Sequence, residues 1–300
     1  MSDFLTTREL ASLLRVKERK VYDLVAAGGL PVRRVTGKLL FPRRDIEDWI
    51  AASAGPGECA REAVPVMASA AASPPPLVMA GGHDPLLEWA LRESRSGIAA
   101  LLDGALDGLD RAGRGECLAV GLHVPEPDGW NTGAVAGRFG GRPWVLLEWA
   151  RRARGIIFRR ELGRRPQRLA DLRGLRFQRR QAEAASEMVL DQLLADEGLT
   201  RADLTLVATI ERSETDLAHA IAGGRADVGL GIEAAARQHN LGFVPLTHER
   251  FDLLVWRKAY FDPPFQKLMA FCRQPAFAAR AADLGGYDVS GFGTVHFNGD

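Results

Sequence analysis

Residues 53–76, SAGPGECAREAVPVMASAAASPPP, constrain this chain more than any other stretch. They are mostly Ala, Ser, Gly and Pro with no sustained amphipathic period, and they end in three prolines that stiffen the backbone. Such a segment buries no hydrophobic face and pairs in no sheet, so the chain folds as two bodies, residues 1–52 and 77–300, around a linker at 53–76. The linker either lets one body alter the spacing of two copies of the other or is a passive tether, and the sequence leaves both open. Three hundred residues with 46% hydrophobic and 26% charged content fit two soluble globular domains.

The first body opens on a helix-start signal. Thr6-Thr7-Arg8-Glu9 places a hydroxyl at the N-cap and a carboxylate three residues on, and Leu10, Leu13 and Leu14 then form an apolar face. After Arg15-Val16, residues 17–25 keep Val21, Leu24 and Val25 on one side until Gly28-Gly29 stops them. Leu30–Val35 and Lys38–Phe41 are strand-like runs joined by Thr36-Gly37, and Pro42 starts a third helix through Ile46, Trp49 and Ile50. Ten Lys/Arg against seven Asp/Glu give residues 1–52 a net +3, which leaves −2 for the remainder of a chain that is +1 overall.

The blocks LTTRELASLL, VYDLVAAGGLPVRRV and KLLFPRRDIEDWI resemble the excisionase-like branch of the MerR-type winged helix-turn-helix family over the whole module. The resemblance implies a DNA reader with a wing, and the charges agree with it. Lys17, Arg19, Lys20 and Tyr22 are assigned to the major groove, and Arg33, Arg34, Lys38, Arg43 and Arg44 to phosphate or minor-groove contact, with a merely solvated face as the alternative for any one of them.

Beyond Pro76 the pattern alternates between strand and helix. Strands are expected at Leu77–Ala80, Cys117–Leu122, Trp144–Leu147, Gly155–Phe158, Leu204–Ala208, Val228–Ile232, Gly242–Leu246 and Phe251–Trp256. Helices are expected with Leu86, Leu87, Trp89, Ala90 and Leu91 inward, and through Ile98–Leu102, with Gly104–Leu109 closing as a loop. This is an open α/β arrangement, whose ligands bind outside the carboxyl ends of strands.

The segments MAGGHDPLLEWAL, LHVPEPDGWN, RGIIFRRELG, LADLRGLRFQRRQAEAASEMVLDQLLADEGL, AHAIAGGRADVGLGIEAAA and VPLTHERFDLLVWRKAYFD resemble a type II periplasmic-binding-protein-like domain. Its distant relatives are molybdate and tungstate receptors and the effector domains of LysR-type regulators. The resemblance spans Leu77 to about Val295 and implies two lobes around a ligand cleft, the second at about 158–250, hinged at Gly155–Phe158 and Phe251–Trp256.

The residues of that cleft suit an anion. Gly81-Gly82 permits close backbone approach, the helix after Asp84 offers free N–H groups, and His83 adds a donor or, alternatively, caps a surface turn. Arg180, Gln181 and Ser186 precede or open one further helix, and Ser213 and Thr215 another. His123, beside Asn131 on a neighbouring loop, is either a ligand group or structural. Family members carry Arg-Gln-x-Gly-Ser-Gly-Thr where this chain has Arg180-Gln181-Ala182-Glu183-Ala184-Ala185-Ser186, so a small carboxylate or a partly cationic ligand competes with a tetrahedral oxyanion. Twelve arginines between Arg151 and Arg180 face only Glu161 and Asp171, and all but Arg180 are assigned mainly to surface, with DNA contact as the alternative.

Other chemistries find no footing. Neither G-x-S-x-G nor a Walker sequence occurs, and Gly223–Gly231 runs from helix into strand, the wrong order for a dinucleotide site. Cys59, Cys117 and Cys272 are too scattered for a disulfide framework or zinc, and the histidines are too dispersed for a metal. No apolar run reaches the ~20 residues of a membrane span, and Asp3 with a helix cap stands in place of a signal segment, so a cytoplasmic protein is expected. The expectation is a regulator without cofactor and without enzymatic activity, binding operator DNA as a homodimer and sensing molybdate or tungstate, with formate or another small carboxylate second. An excisionase-like DNA-architectural factor is the alternative.

Overall fold

The computed structural model describes residues 4–14, 21, 25, 30–35, 38–46 and 74–300. The chain divides into two compact units, Met1–Ala71 and Ala72–Asp300.

In the first unit, strand β1 (Phe4–Thr6) leads into helix α1 (Thr7–Leu13). The Thr6 backbone N–H and hydroxyl both donate to Glu9 Oε2 at 2.8 Å, and the Glu9 N–H donates to Thr6 Oγ1 at 3.3 Å. This is the reciprocal capping box that the sequence announces. Leu10 is fully buried with Ala11 beside it and Leu14 at the core's edge, whereas Leu13, expected inward, is 45% exposed. A four-residue step keeps Leu14 over Leu10, while the three-residue step carries Leu13 past the margin of so small a core.

The wing is an antiparallel hairpin of β2 (Arg33–Val35) and β3 (Lys38–Pro42). Strand β1, unforeseen in the sequence because three residues carry no period, pairs with β3 and sets Leu5 opposite Phe41. Pro42 closes β3, and residues 43–46 are helical, one residue later than expected. Leu5, Leu10, Ala11, Val21, Leu30, Phe41 and Ile46 are the buried centre.

The second unit is α/β. Strands β4 (Val78–Gly81), β5 (Ala99–Leu101) and β6 (Ala119–Leu122) are parallel neighbours with β4 central. Helices α2 (Pro85–Glu93), α3 (Ala105–Arg114) and α4 (Thr132–Phe139) accompany them, with a short hairpin of β7 (Pro125–Glu126) and β8 (Gly129–Trp130) before α4. Two 15-residue strands, β9 (Trp144–Phe158) and β13 (Gly242–Trp256), then run antiparallel along their whole length.

Between those two strands lie β10 (Arg176–Arg180), β11 (Thr205–Glu211) and β12 (Val228–Ile232), with helices α5 (Ala185–Asp196), α6 (Glu214–Ala222) and α7 (Glu233–Gln238). After β13 come α8 (Arg257–Tyr260), α9 (Pro263–Cys272) and α10 (Pro275–Leu284). Two short strands, β14 (Tyr287–Asp288) and β15 (Val295–Asn298), finally add to β9. The order β11-β10-β12-β9-β13-β6-β4-β5 makes one curled sheet with two lobes. The far half of β13 pairs with β6 in the first lobe, and the far half of β9 pairs with β12 in the second.

The long strands correct the sequence reading, which split each into two. Arg151-Arg152-Ala153-Arg154 reads as a charged loop, yet Arg152 and Arg154 are buried and the ladder continues through them. The segments expected to form a hinge are therefore part of continuous sheet with two irregularities, one leaving Leu246 and one leaving Trp149 without an opposite residue. Residues 99–101 are a strand and 105–114 a helix, where a helix and a loop were expected. Gly108, which reads as a loop residue, is instead a packing glycine: a Cβ there would sit 2.5 Å from Gly81 Cα. Strand β10 and helices α9 and α10 were not anticipated. No helix among the described residues is long and apolar enough to cross a membrane.

Two substitutions on α3 separate these roles. A Cβ at Gly113 meets nothing within 4 Å, so Gly113→Ala is expected to stabilise by about 0.5–1 kcal/mol. Gly108→Ala is expected to destabilise by about 2–3 kcal/mol, as overpacking against backbone does. Urea denaturation of both variants checks the pair, and equal effects would contradict the packing account.

Candidate functional site

The lobes meet on the face of β9 that carries Arg152 and Arg154, two residues apart and hence on one side of the strand. Glu249 stands opposite Arg152 in the ladder and accepts from both guanidiniums, from Arg152 Nη2 in a short contact and from Arg154 Nε at 2.5 Å. Towards the first lobe, Arg152 Nη1 donates to Asp84 Oδ2 at 2.8 Å. Towards the second, Arg154 Nη2 donates to Glu214 Oε1 at 2.8 Å, and Arg180 Nη1 lies 3.0 Å from the same oxygen but off the hydrogen-bond line. All six side chains are buried. Three carboxylates thus balance three guanidiniums in a chain that crosses from lobe to lobe.

Asp84 overturns part of the sequence expectation. The anion cradle at the start of α2 is filled by the chain's own carboxylate: Asp84 Oδ1 accepts from Leu87 N at 2.7 Å and from Trp149 Nε1 at 3.2 Å, and Oδ2 also accepts from the Tyr287 hydroxyl at 2.6 Å. Gly82 N donates to Gly121 O at 2.7 Å, and a Cβ at Gly81 would meet that oxygen at 2.3 Å, so these glycines let strands approach each other.

His83 bridges the lobes instead of capping a surface turn. Its Nδ1 accepts from Glu214 N at 3.3 Å, and its Nε2 lies 3.3 Å from Glu88 Oε2. Asn131 is committed to the protein as well: Oδ1 accepts from Val124 N at 2.6 Å, and Nδ2 donates to Asp252 Oδ2 at 2.7 Å. Gln181 Nε2 crosses to Asp103 O at 2.5 Å, and Arg212 Nη1 pairs with Asp103 at 2.7 Å at the rim. Ser213 caps α6 through Asp216 N at 2.9 Å, with Thr215 half-buried in the first turn.

What remains unpartnered is informative. His123 Nδ1 and Nε2, Arg152 Nε, Arg154 Nη1, Arg180 Nη1, Ser186 Oγ and Glu214 Oε2 are buried without a hydrogen-bond partner. Buried polar atoms are ordinarily satisfied, and the gathering of these around the Arg152–Arg154–Glu214 network makes it the candidate site. Arg152, Arg154, Glu214 and Glu249 were missed in the sequence. Their signal was the i, i+2 arginine pair in β9 facing a glutamate at the matching position of its partner strand.

Electrostatics keep the set charged except for His123. Burial opposes ionisation of Glu249, but Arg152 and Arg154 outweigh it and hold the carboxyl down to about 2. Burial likewise opposes ionisation of Glu214, and Arg154 and Arg180 hold it well below the usual carboxylate range. His123, stacked on Phe251 with Glu249 4.0 Å away, is pushed down to about 3 by burial and is neutral. Cys117 and Cys272 are buried free thiols pushed up to about 12 by burial.

On the other unit, Arg33, Arg34 and Lys38 lie on the paired strands of the wing hairpin, Arg43 is half-buried, and Arg44 is exposed. Lys17, Arg19, Lys20 and Tyr22 lie outside the described residues.

Residues 88–273 match the family described as a PBP superfamily domain. The chain belongs to the PBP superfamily. Residues 4–54 match the helix-turn-helix domain family. The uncharacterised protein YvgK of Bacillus subtilis (strain 168) is 25% identical over 299 residues, covering 97% of this chain and 96% of that protein. An uncharacterised Clostridium pasteurianum protein, from the 5' region of a 2Fe-2S ferredoxin gene, is 33% identical over 84 residues, 28% of this chain and 74% of its own length. A Clostridium perfringens ABC-transporter substrate-binding protein crystallised with phosphate shares the fold, with TM-score 0.52, 10% identity, and coverage of 69% of this chain and 96% of its own. A helix-turn-helix domain joined to a PBP-type domain is the composition of a ligand-sensing DNA-binding regulator.

The neutral histidine gives a testable pH dependence. Its folded-state pKa lies below its ordinary value of 6.5, so its contribution is complete above 6.5 and is lost as pH falls towards 3, at up to about 1.4 kcal/mol per unit. Asp252, which burial raises to about 6 against the pull of Arg250 and Asn131, acts with the opposite sign but equally in wild type and variant. His123→Phe is expected to fold and to flatten the decline between pH 6.5 and 3 in urea denaturation. Identical pH profiles for the two proteins would contradict the assignment.

Proposed function

We propose that the chain is a one-component transcription regulator: residues 1–52 read operator DNA as part of a homodimer, residues 53–76 link, and residues 77–300 close around a small anion, the second lobe being about 158–250. One observation carries the ligand reading. Among the buried unpartnered atoms, Arg152 Nε, Arg154 Nη1, Arg180 Nη1 and Ser186 Oγ are donors, neutral His123 supplies one donor and one acceptor, and only Glu214 Oε2 is a pure acceptor. A donor-rich, buried site fits a compact oxygen-rich anion held by hydrogen bonds.

Molybdate or tungstate is the first choice. The three guanidiniums already carry three carboxylates, and Glu183 stands where relatives carry glycine, so a singly charged ligand such as formate or another small carboxylate is the second. Gly81, Gly82, His83, Asp84, Asn131, Gln181 and Ser213 leave the ligand set because the protein itself engages them. His123, Arg180, Ser186 and Thr215 stay in it, joined by Arg154. Coupling to DNA needs the ligand to prefer the closed lobes by about 1–3 kcal/mol.

Thermal unfolding of the full-length protein against molybdate, tungstate, sulfate, phosphate, formate and acetate tests the ligand. A binding anion at about 100 times its Kd stabilises by about 2.7 kcal/mol. His123→Phe is expected to lose that response, and no stabilisation by any member of the panel would overturn the anion reading. Gel shifts on the chain's own upstream DNA test the reader: Arg19→Ala and Arg33→Ala are each expected to weaken binding by about 1–3 kcal/mol. Full binding by both variants would refute the contact assignment, and DNA bending independent of every anion would favour an architectural factor.

A further inference from the structure

The segment Arg159–Arg168 of the second lobe, RRELGRRPQR, holds five arginines and one acid, while the rest of residues 77–300 carries a net −5. The cleft uses none of them. Arg159 is spent on Asp227, which it shares with Arg176, and Arg164 reaches Asp171 at 3.4 Å. Arg160 and Arg165 differ. Arg160 Nε donates to Asn240 O at 3.0 Å, and Arg165 Nη2 donates to Phe243 O at 3.3 Å. Among the described residues, neither has a carboxylate within ion-pair distance.

Each guanidinium is thus fixed by one N–H on the start of β13 or the turn before it and keeps its other donors and full charge for a partner. The loop beneath is pinned, with Leu162 packed on the lobe's core and Pro166 and Leu169 buried. Between the two arginines lies an open surface pocket of ≈ 410 Å³ floored by Phe158, Leu162, Gly242 and Phe243. Fixed, unpaired guanidiniums facing solvent cost self-repulsion in a free protein and suit a row of phosphates.

We propose that this arginine face is a second contact for the duplex DNA backbone, sequence-independent and additional to the helix-turn-helix; it rests on the DNA-binding reading above. Each phosphate neutralised contributes about 0.9 to the slope of log K against log salt. The full-length protein is titrated against duplex DNA of arbitrary sequence over a range of KCl concentrations, beside Arg160→Gln/Arg165→Gln and, as a control of equal charge change, Arg92→Gln/Arg95→Gln on the first lobe.

The slope is expected to fall by about 2 in the first variant and to stay unchanged in the second, with unchanged melting temperature and anion response in both. An unchanged slope in the Arg160/Arg165 variant, or an equal fall in the control, overturns the second contact while leaving the DNA reader standing. Absence of DNA binding by the wild type at every salt concentration overturns the reader and this contact together. Loss of binding to phosphatidylserine vesicles with DNA binding intact would assign the face to a membrane and also overturn it.

Discussion

The Arg152–Glu249 pair, opposite each other at the middle of two antiparallel strands, is the contact on which the sensing domain's geometry rests. An unpaired charge at that depth would cost several kcal/mol, so each group requires the other, and each in turn recruits a further partner. Arg152 takes Asp84 from the first lobe, and Glu249 takes Arg154, which takes Glu214 from the second. A break at any link strands a buried charge. The network therefore specifies how the lobes meet more than it stabilises them, because burial of ion pairs returns little net free energy.

This arrangement also explains why the link between the lobes is sheet. A flexible loop would leave buried backbone groups unpaired, whereas β9 and β13 keep their ladder and bend only where Trp149 and Leu246 fall out of register. The displaced Trp149 turns its indole N–H to Asp84, so the irregularity feeds the network. In the proposed sensor, closure and ligand recognition would share the same residues, because Glu214 and Arg180 belong to the second lobe's end of the network and each keeps a buried unpartnered atom.

Much of this was legible in the sequence where local rules decide. The Thr6–Glu9 capping box, the wing hairpin and strand Val228–Ile232 follow from short-range chemistry that the fold does not override. The continuous strand was not legible, because Arg151–Arg154 has the composition of a loop, and Arg152 and Arg154 are buried only through partners 60 to 97 positions away along the chain. Gly108 misled for a related reason: its lack of a side chain serves contact with Gly81 rather than a turn. The N-terminus read as a cradle at Gly81–Asp84 is occupied by Asp84 itself, since a carboxylate at a helix N-cap is the nearest anion available. The sequence singles out Arg180, Gln181 and Ser186 from their place before a helix, whereas the signal for Arg154 and Glu249, an i, i+2 arginine pair facing a glutamate on the partner strand, is readable only once β9 and β13 are known to be continuous.

The central claim is that a small anion shifts the closure of the two lobes. Double electron–electron resonance between spin labels at Gly113→Cys on α3 and Gln192→Cys on α5, in a Cys59→Ser background, reads that closure in the full-length protein. The account predicts that molybdate, tungstate or formate shortens and narrows the distance distribution. One distribution, unchanged by all three anions, would contradict it.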